Sequence, residues 1–138
     1  MVSLIIGRRG SGKTKILLEH VNQALESSKG NVVCVEKERI LTYNVNYRAR
    51  LVETDSFGVS GYEAFYGFLC GLCAGDHDIT DIFVDATLRI GGRDYGQLAQ
   101  FLDKIAHQES LREINILFTV SADKEELPEN IFEFCELI

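Results

Sequence analysis

VSLIIGRRGSGKT, residues Val2 to Thr14, decides how the rest of the chain is read. Val2 to Ile6 is a strand-sized apolar run that enters a loop fitting G-x-x-x-x-G-K-[ST] from Gly7 to Thr14. Such a loop cradles phosphate. Glycines let successive backbone N–H groups turn inward on the oxygens, and the following helix points the positive end of its dipole at the same anion. Gly7, Gly10 and Gly12 supply that freedom, with Arg8, Arg9 and Ser11 between them. Lys13 is expected to reach the β- and γ-phosphates of a nucleoside triphosphate, with Lys15 beside it, and the Thr14 hydroxyl to ligate Mg²⁺. The blander alternative is a glycine-rich turn that carries Lys-Thr by chance. The position of the motif between an expected strand and an expected helix argues for phosphate.

Outward from the loop, the pattern alternates. Lys13 to Ser28 reads as a helix with Leu17, Val21, Ala24 and Leu25 on one face and Lys29-Gly30 as its stop. Asn31 to Glu36 is a second buried strand; residues 39–55 are ambiguous, with Arg50 to Thr54 as a candidate short strand. Ser60 would cap an apolar helix from Gly61 to Ala74. Asp81 to Ala86 is a third strand, Asp94 to Gln108 an amphipathic helix, Ile114 to Val120 a fourth strand and Ile131 to Leu137 a fifth. Strands alternating with helices predict an α/β doubly wound domain: a mainly parallel five-stranded sheet with helices on both faces, residues 1–138 forming one domain.

Composition bounds the partners. A net charge of −7 argues against a broad nucleic-acid surface, although Lys37, Arg39, Arg48 and Arg50 lie close together in sequence. No secretory or membrane-spanning run stands out, so no membrane association is expected. Four cysteines without a secretory signal predict reduced thiols in the cytoplasm. Cys70 and Cys73 form a C-x-x-C inside an apolar helix and read as two buried thiols rather than a redox or zinc pair.

A metal-holding carboxylate is expected at a strand end near the loop, and Asp85 in DIFVDA supplies it. Its alternative role is a helix or turn cap. Asp81 reads as a boundary residue, and Arg89 and Arg93 as loop charges or as fingers reaching a neighbouring subunit. Many ATPases carry Glu directly after the strand Asp; this chain carries Ala86.

LIIGRRGSGKT, VVCVEKE, DIFVDA and ILFTVS together resemble the RecA-like core of P-loop ATPases. The resemblance covers nearly the whole chain, and the loop is its specific part. It implies the RecA-like strand order, ATP and Mg²⁺ as ligands, and a catalytic Glu at the end of the second strand, matched by Glu38 or else Glu36. The other reading of Glu36 to Arg39 is a solvated charge run. The resemblance also implies a polar γ-phosphate sensor at the end of the fourth strand, where Thr119 or Ser121 stands. No N-K-x-D-like guanine signature occurs, which favours ATP over GTP. The expected function is a slow ATPase or one activated by a protein partner or a second copy. Alternatives are a nucleotide-dependent binding module without turnover, a relative of the secretion and twitching-motility motors, and a small-molecule or nucleoside kinase.

Overall fold

The structure is a computed structural model that describes residues 1–39 and 45–138. Part of the ambiguous stretch, 40–44, therefore lies outside the described residues. In chain order the elements are β1 (Val2–Gly7), α1 (Lys13–Ser27), β2 (Asn31–Glu36), β3 (Arg50–Glu53), α2 (Tyr62–Gly75) and β4 (Ile79–Val84). They are followed by α3 (Thr87–Gly91), α4 (Tyr95–His107), β5 (Asn115–Ser121), α5 (Ile131–Phe134) and β6 (Glu136–Leu137).

The six strands form one sheet in the order β3-β2-β4-β5-β1-β6, and every pairing between them is parallel. Side chains alternate between its two faces, as a strand requires. Leu4, Val33, Val35, Ile82, Val84, Phe118 and Val120 pack into one apolar cluster with α2 and α4. Ile5, Val32, Cys34, Phe83 and Leu117 pack into a second, against Leu17, Val21 and Ala24 of α1. Helices thus cover both faces, which explains why the strands read as continuous apolar runs. Phe101 on α4 centres the larger cluster. Its ring lies 5.1 Å from that of Phe65, 5.2 Å from Tyr62 and 5.7 Å from Phe118.

The sheet has six strands, not the expected five. Arg50–Glu53 is the added edge strand, paired to β2 through registers such as Val35 with Val52. The expected last strand, Ile131 to Leu137, divides into the short α5 and the two-residue β6. Ile131 turns its fully buried side chain into the cluster shared with α2 and α4. Ser60 does not cap α2; Gly61 holds the N-cap position and no side chain hydrogen-bonds there. Asp94 does cap α4, accepting from the Gln97 N–H at 3.0 Å. The third expected strand begins at Ile79 and stops at Val84, leaving Asp85 and Ala86 beyond its end. Asp81 is buried within that strand, where its Oδ1 accepts from Ser28 at 2.6 Å and Thr80 at 2.7 Å.

Among the described residues no helix is long and apolar enough to cross a membrane. The four cysteines are free; Cys34, Cys73 and Cys135 are buried and Cys70 is half-buried. Burial pushes the Cys34 and Cys135 thiols up to about 12 and Cys73 up to about 11, so all three stay protonated.

Candidate functional site

Because every strand runs the same way, the C-terminal strand ends share one edge, where open α/β sheets gather ligands. The glycine-rich loop leaves β1 at this edge, Asp85 follows β4, and Thr119 and Ser121 end β5. β5 separates β1 from β4, so the loop and Asp85 face each other across the end of an intervening strand.

The loop is built by backbone geometry. Gly10 and Gly12 have φ of +82° and +89°, values a side chain disfavours. Gly12 is the N-cap of α1 and makes no side-chain capping bond. The first N–H groups of a helix have no partner within it, so those of Lys13, Thr14 and Lys15 point out of the helix end. The first turn of α1 holds no acidic residue, although it contains Lys13 and Lys15. Cations at a helix N-terminus oppose its dipole by about 0.3–1 kcal/mol each, a cost that a bound anion reverses.

Lys13 is 8 % exposed, and its Nζ donates to the Arg8 carbonyl at 2.8 Å. Burial lowers its pKa from the ordinary value, and the Asp85 charge opposes that shift. The Thr14 hydroxyl donates to Asp85 at 3.1 Å from Oδ2 and 3.3 Å from Oδ1. Thr119 donates to Asp85 Oδ1 at 2.7 Å, and the Asp85 N–H donates to the Val35 carbonyl at 3.0 Å. Arg8 reaches from the loop to Asp123 beyond β5, at 3.1 and 3.2 Å. That hydrogen bond raises the pKa of the exposed Arg8 guanidinium. Arg9, Ser11 and Lys15 are exposed, and Gly7 is the last residue of β1.

Of the loop, Arg8, Arg9, Gly10, Gly12, Lys13 and Thr14 border an open cleft of about 910 Å³, together with Asp85; Gly7, Ser11 and Lys15 are not among the residues lining it. Five cationic side chains (Arg8, Arg9, Lys13, Arg89, Arg93) and three acidic ones (Asp85, Asp123, Glu126) line it. The cleft is therefore electropositive in a chain of net charge −7, which suits an anionic ligand. Leu88 and Ala122 supply its apolar wall. Ser121 and Thr119 both line it, but Thr119 is 1 % exposed and its hydroxyl is spent on Asp85.

Glu36 and Glu38 are not among the residues lining this cleft. Glu36 is buried at the end of β2, one residue beyond the Val35 carbonyl that anchors Asp85. Glu38 is exposed and forms an ion pair with Arg89, which does line the cleft. Arg89 lies on α3, a helix the sequence did not suggest, instead of in a loop. Ala86 is the other feature missed: its φ of +54° is unique among the described non-glycine residues.

Mg²⁺ prefers oxygen ligands, usually taking one or two from protein and the rest from phosphates and water. The residues fit it. Thr14 donates its proton to Asp85, which leaves the hydroxyl oxygen's lone pairs for a cation beside a carboxylate. Among the described residues no three His, Cys, Asp or Glu side chains are grouped to hold a metal, as a dedicated protein cage would need.

No protein-family model matches this chain.

Proposed function

We propose that the protein binds ATP·Mg²⁺ at the glycine-rich loop as a P-loop ATPase of the RecA-like class. The carrying observation is the direct pairing of Thr14 with Asp85 beside buried Lys13, at the edge of the sheet where the uncapped α1 begins. We read the sheet as the RecA-like order with β3 added at one edge. The loop N–H groups and Lys13 bind and orient the triphosphate, with Arg8, Arg9 and Lys15 around it. Thr14 and Asp85 would hold Mg²⁺, which when bound neutralises phosphate charge. Ser121 faces the γ-phosphate end. Glu38, or secondarily Glu36, activates the attacking water.

Turnover is slow, or waits for a protein partner or second copy, because Glu38 is engaged by Arg89 and Ala86 supplies no base. The same ion pair favours one second reading, a nucleotide-dependent binding module without hydrolysis. The free, protonated thiols fit a cytoplasmic protein.

Titration calorimetry of wild type and Lys13→Ala with ATP·Mg²⁺ tests the reading. Removing the charge-assisted phosphate contact abolishes measurable binding and leaves the fold intact by circular dichroism. Unchanged affinity in a folded Lys13→Ala variant overturns nucleotide binding at this loop.

A further inference from the structure

The end of β4 carries a hydrogen-bonded corner that involves a third hydroxyl. After Asp85 the chain turns through Ala86 at φ 54° and ψ 54°, left-handed geometry that costs a non-glycine residue roughly 1–2 kcal/mol. The turn lifts the Ala86 N–H out of the β4 ladder and onto Thr119 Oγ1, at 2.8 Å. The same oxygen stands 2.7 Å from Asp85 Oδ1.

A threonine hydroxyl has one proton. An N–H cannot accept it, so the proton goes to Asp85 while the oxygen accepts from Ala86. Both roles are filled with the side chain 1 % exposed, and nothing remains of this hydroxyl to donate to a phosphate. Ser121, two residues on and therefore on the same side of β5, lines the cleft and is free of that duty.

The Asp85 carboxylate is consequently held unevenly. Oδ1 accepts from both Thr119 and Thr14, whereas Oδ2 accepts from Thr14 alone. We propose that Thr119 is a positioning residue: it locks the Asp85 carboxylate and the strained Ala86 corner so that Oδ2 stays turned toward Thr14 and the metal position. The inference rests on the nucleotide·Mg²⁺ reading above and deepens it, assigning Thr119 to the metal side of the site and Ser121 to the phosphate side. Partners that orient a metal ligand typically contribute tenfold to a hundredfold in metal affinity.

The test compares wild type, Thr119→Val, Thr119→Ser and Ser121→Ala. Calorimetry measures ATP affinity with Mg²⁺ and with chelator, and electron paramagnetic resonance measures Mn²⁺ bound to each ATP complex. Thr119→Val should bind metal-free ATP within about twofold of wild type yet lose about tenfold or more of the metal enhancement. Thr119→Ser, which keeps the hydroxyl, restores it. Ser121→Ala shows the opposite pattern: weaker ATP binding, with the metal enhancement retained. If Thr119→Val does not fold, Thr119→Cys, nearly as large but a weak donor, shows a partial loss.

Full metal enhancement in Thr119→Val, or failure of Thr119→Ser to restore it, overturns the assignment while nucleotide binding stands. Equal loss of ATP affinity with and without metal makes Thr119 a phosphate contact and also overturns it. Wild type that binds no ATP removes both readings together.

Discussion

Thr14 and Asp85 are 71 positions apart in sequence, yet the hydroxyl of one lies 3.1 Å from Oδ2 of the other. The parallel sheet brings them together. β1 and β4 flank β5, so the turn after each strand opens over the end of the same neighbour, and Thr119 fills the space between. A hydroxyl on the first turn of α1 and a carboxylate directly after β4 make a better defined oxygen pair than the same groups on mobile loops would.

Asp85→Asn keeps the size of the side chain and removes the charge. It should reduce the enhancement of ATP affinity by Mg²⁺ while changing metal-free affinity little, because the proposed function sets Asp85 against the metal and not the phosphates. Paired calorimetric titrations with and without Mg²⁺ measure this. Equal enhancement in both proteins would exclude Asp85 from the metal shell.

Hydrolysis by the isolated protein should fall well below the typical enzyme median of about 10 s⁻¹. Single-turnover assays at saturating ATP·Mg²⁺ on wild type, Glu38→Gln and Glu36→Gln locate the base. Glu38→Gln should slow the reaction without weakening binding, since it removes the proposed base and no phosphate contact. Identical rates in all three proteins would reject both carboxylates and favour the module without turnover.

Phe101→Ala should destabilise the fold by about 3–5 kcal/mol, the range for deleting a buried phenyl ring. Phe101 is 2 % exposed and contacts three other rings, so the cavity opens between α2, α4 and the sheet. Denaturant unfolding monitored by circular dichroism gives the value. A loss below about 1 kcal/mol would mean that the ring cluster collapses freely around the gap.

His107, in the last turn of α4, donates its Nδ1–H to the Asp103 carbonyl at 2.9 Å, and the same nitrogen lies 2.6 Å from the Asp103 carboxylate. The carbonyl contact raises its pKa above the ordinary 6.5, desolvation opposes that shift, and the charge and hydrogen bond of the Asp103 carboxylate add to the rise. A raised folded pKa means that the stabilisation is complete below the unfolded value and is lost as pH rises through the folded one. Nuclear magnetic resonance titration of the ring should give a midpoint above 6.5. Asp103→Asn should lower that midpoint only in part, because the backbone contact remains. A midpoint at or below the unfolded value would contradict the geometry.

The sequence alone determined what depends on near neighbours in the chain. The glycine-rich loop between a strand and a helix, the apolar runs of β1 and β2, and the helical spacing of Leu98, Phe101, Leu102 and Ile105 are short-range patterns, and each is found where the sequence placed it. Asp85 was legible for the same reason: a carboxylate after an apolar run lies at a strand end whatever the sheet order. β3 and β6 were harder to read. β3 is a four-residue strand and β6 spans two residues, both at sheet edges where little burial imprints a pattern.

Only the tertiary structure decided which strand ends meet. Thr119 and Ser121 were equivalent candidates on paper; the placement of β5 beside β4 commits Thr119 to Asp85 and leaves Ser121 facing the cleft. The sequence offers Glu38 as a water-activating carboxylate or as part of a solvated charge run; its ion pair with Arg89 of α3 appears only in the tertiary structure. The left-handed turn at Ala86 had no local signal, since alanine is not a residue that seeks such a conformation. The hydrogen bond to Thr119 holds it there, and that partner stands 33 positions away. Periodicity reports which face of an element is buried; strand order and register determine which side chains share a site.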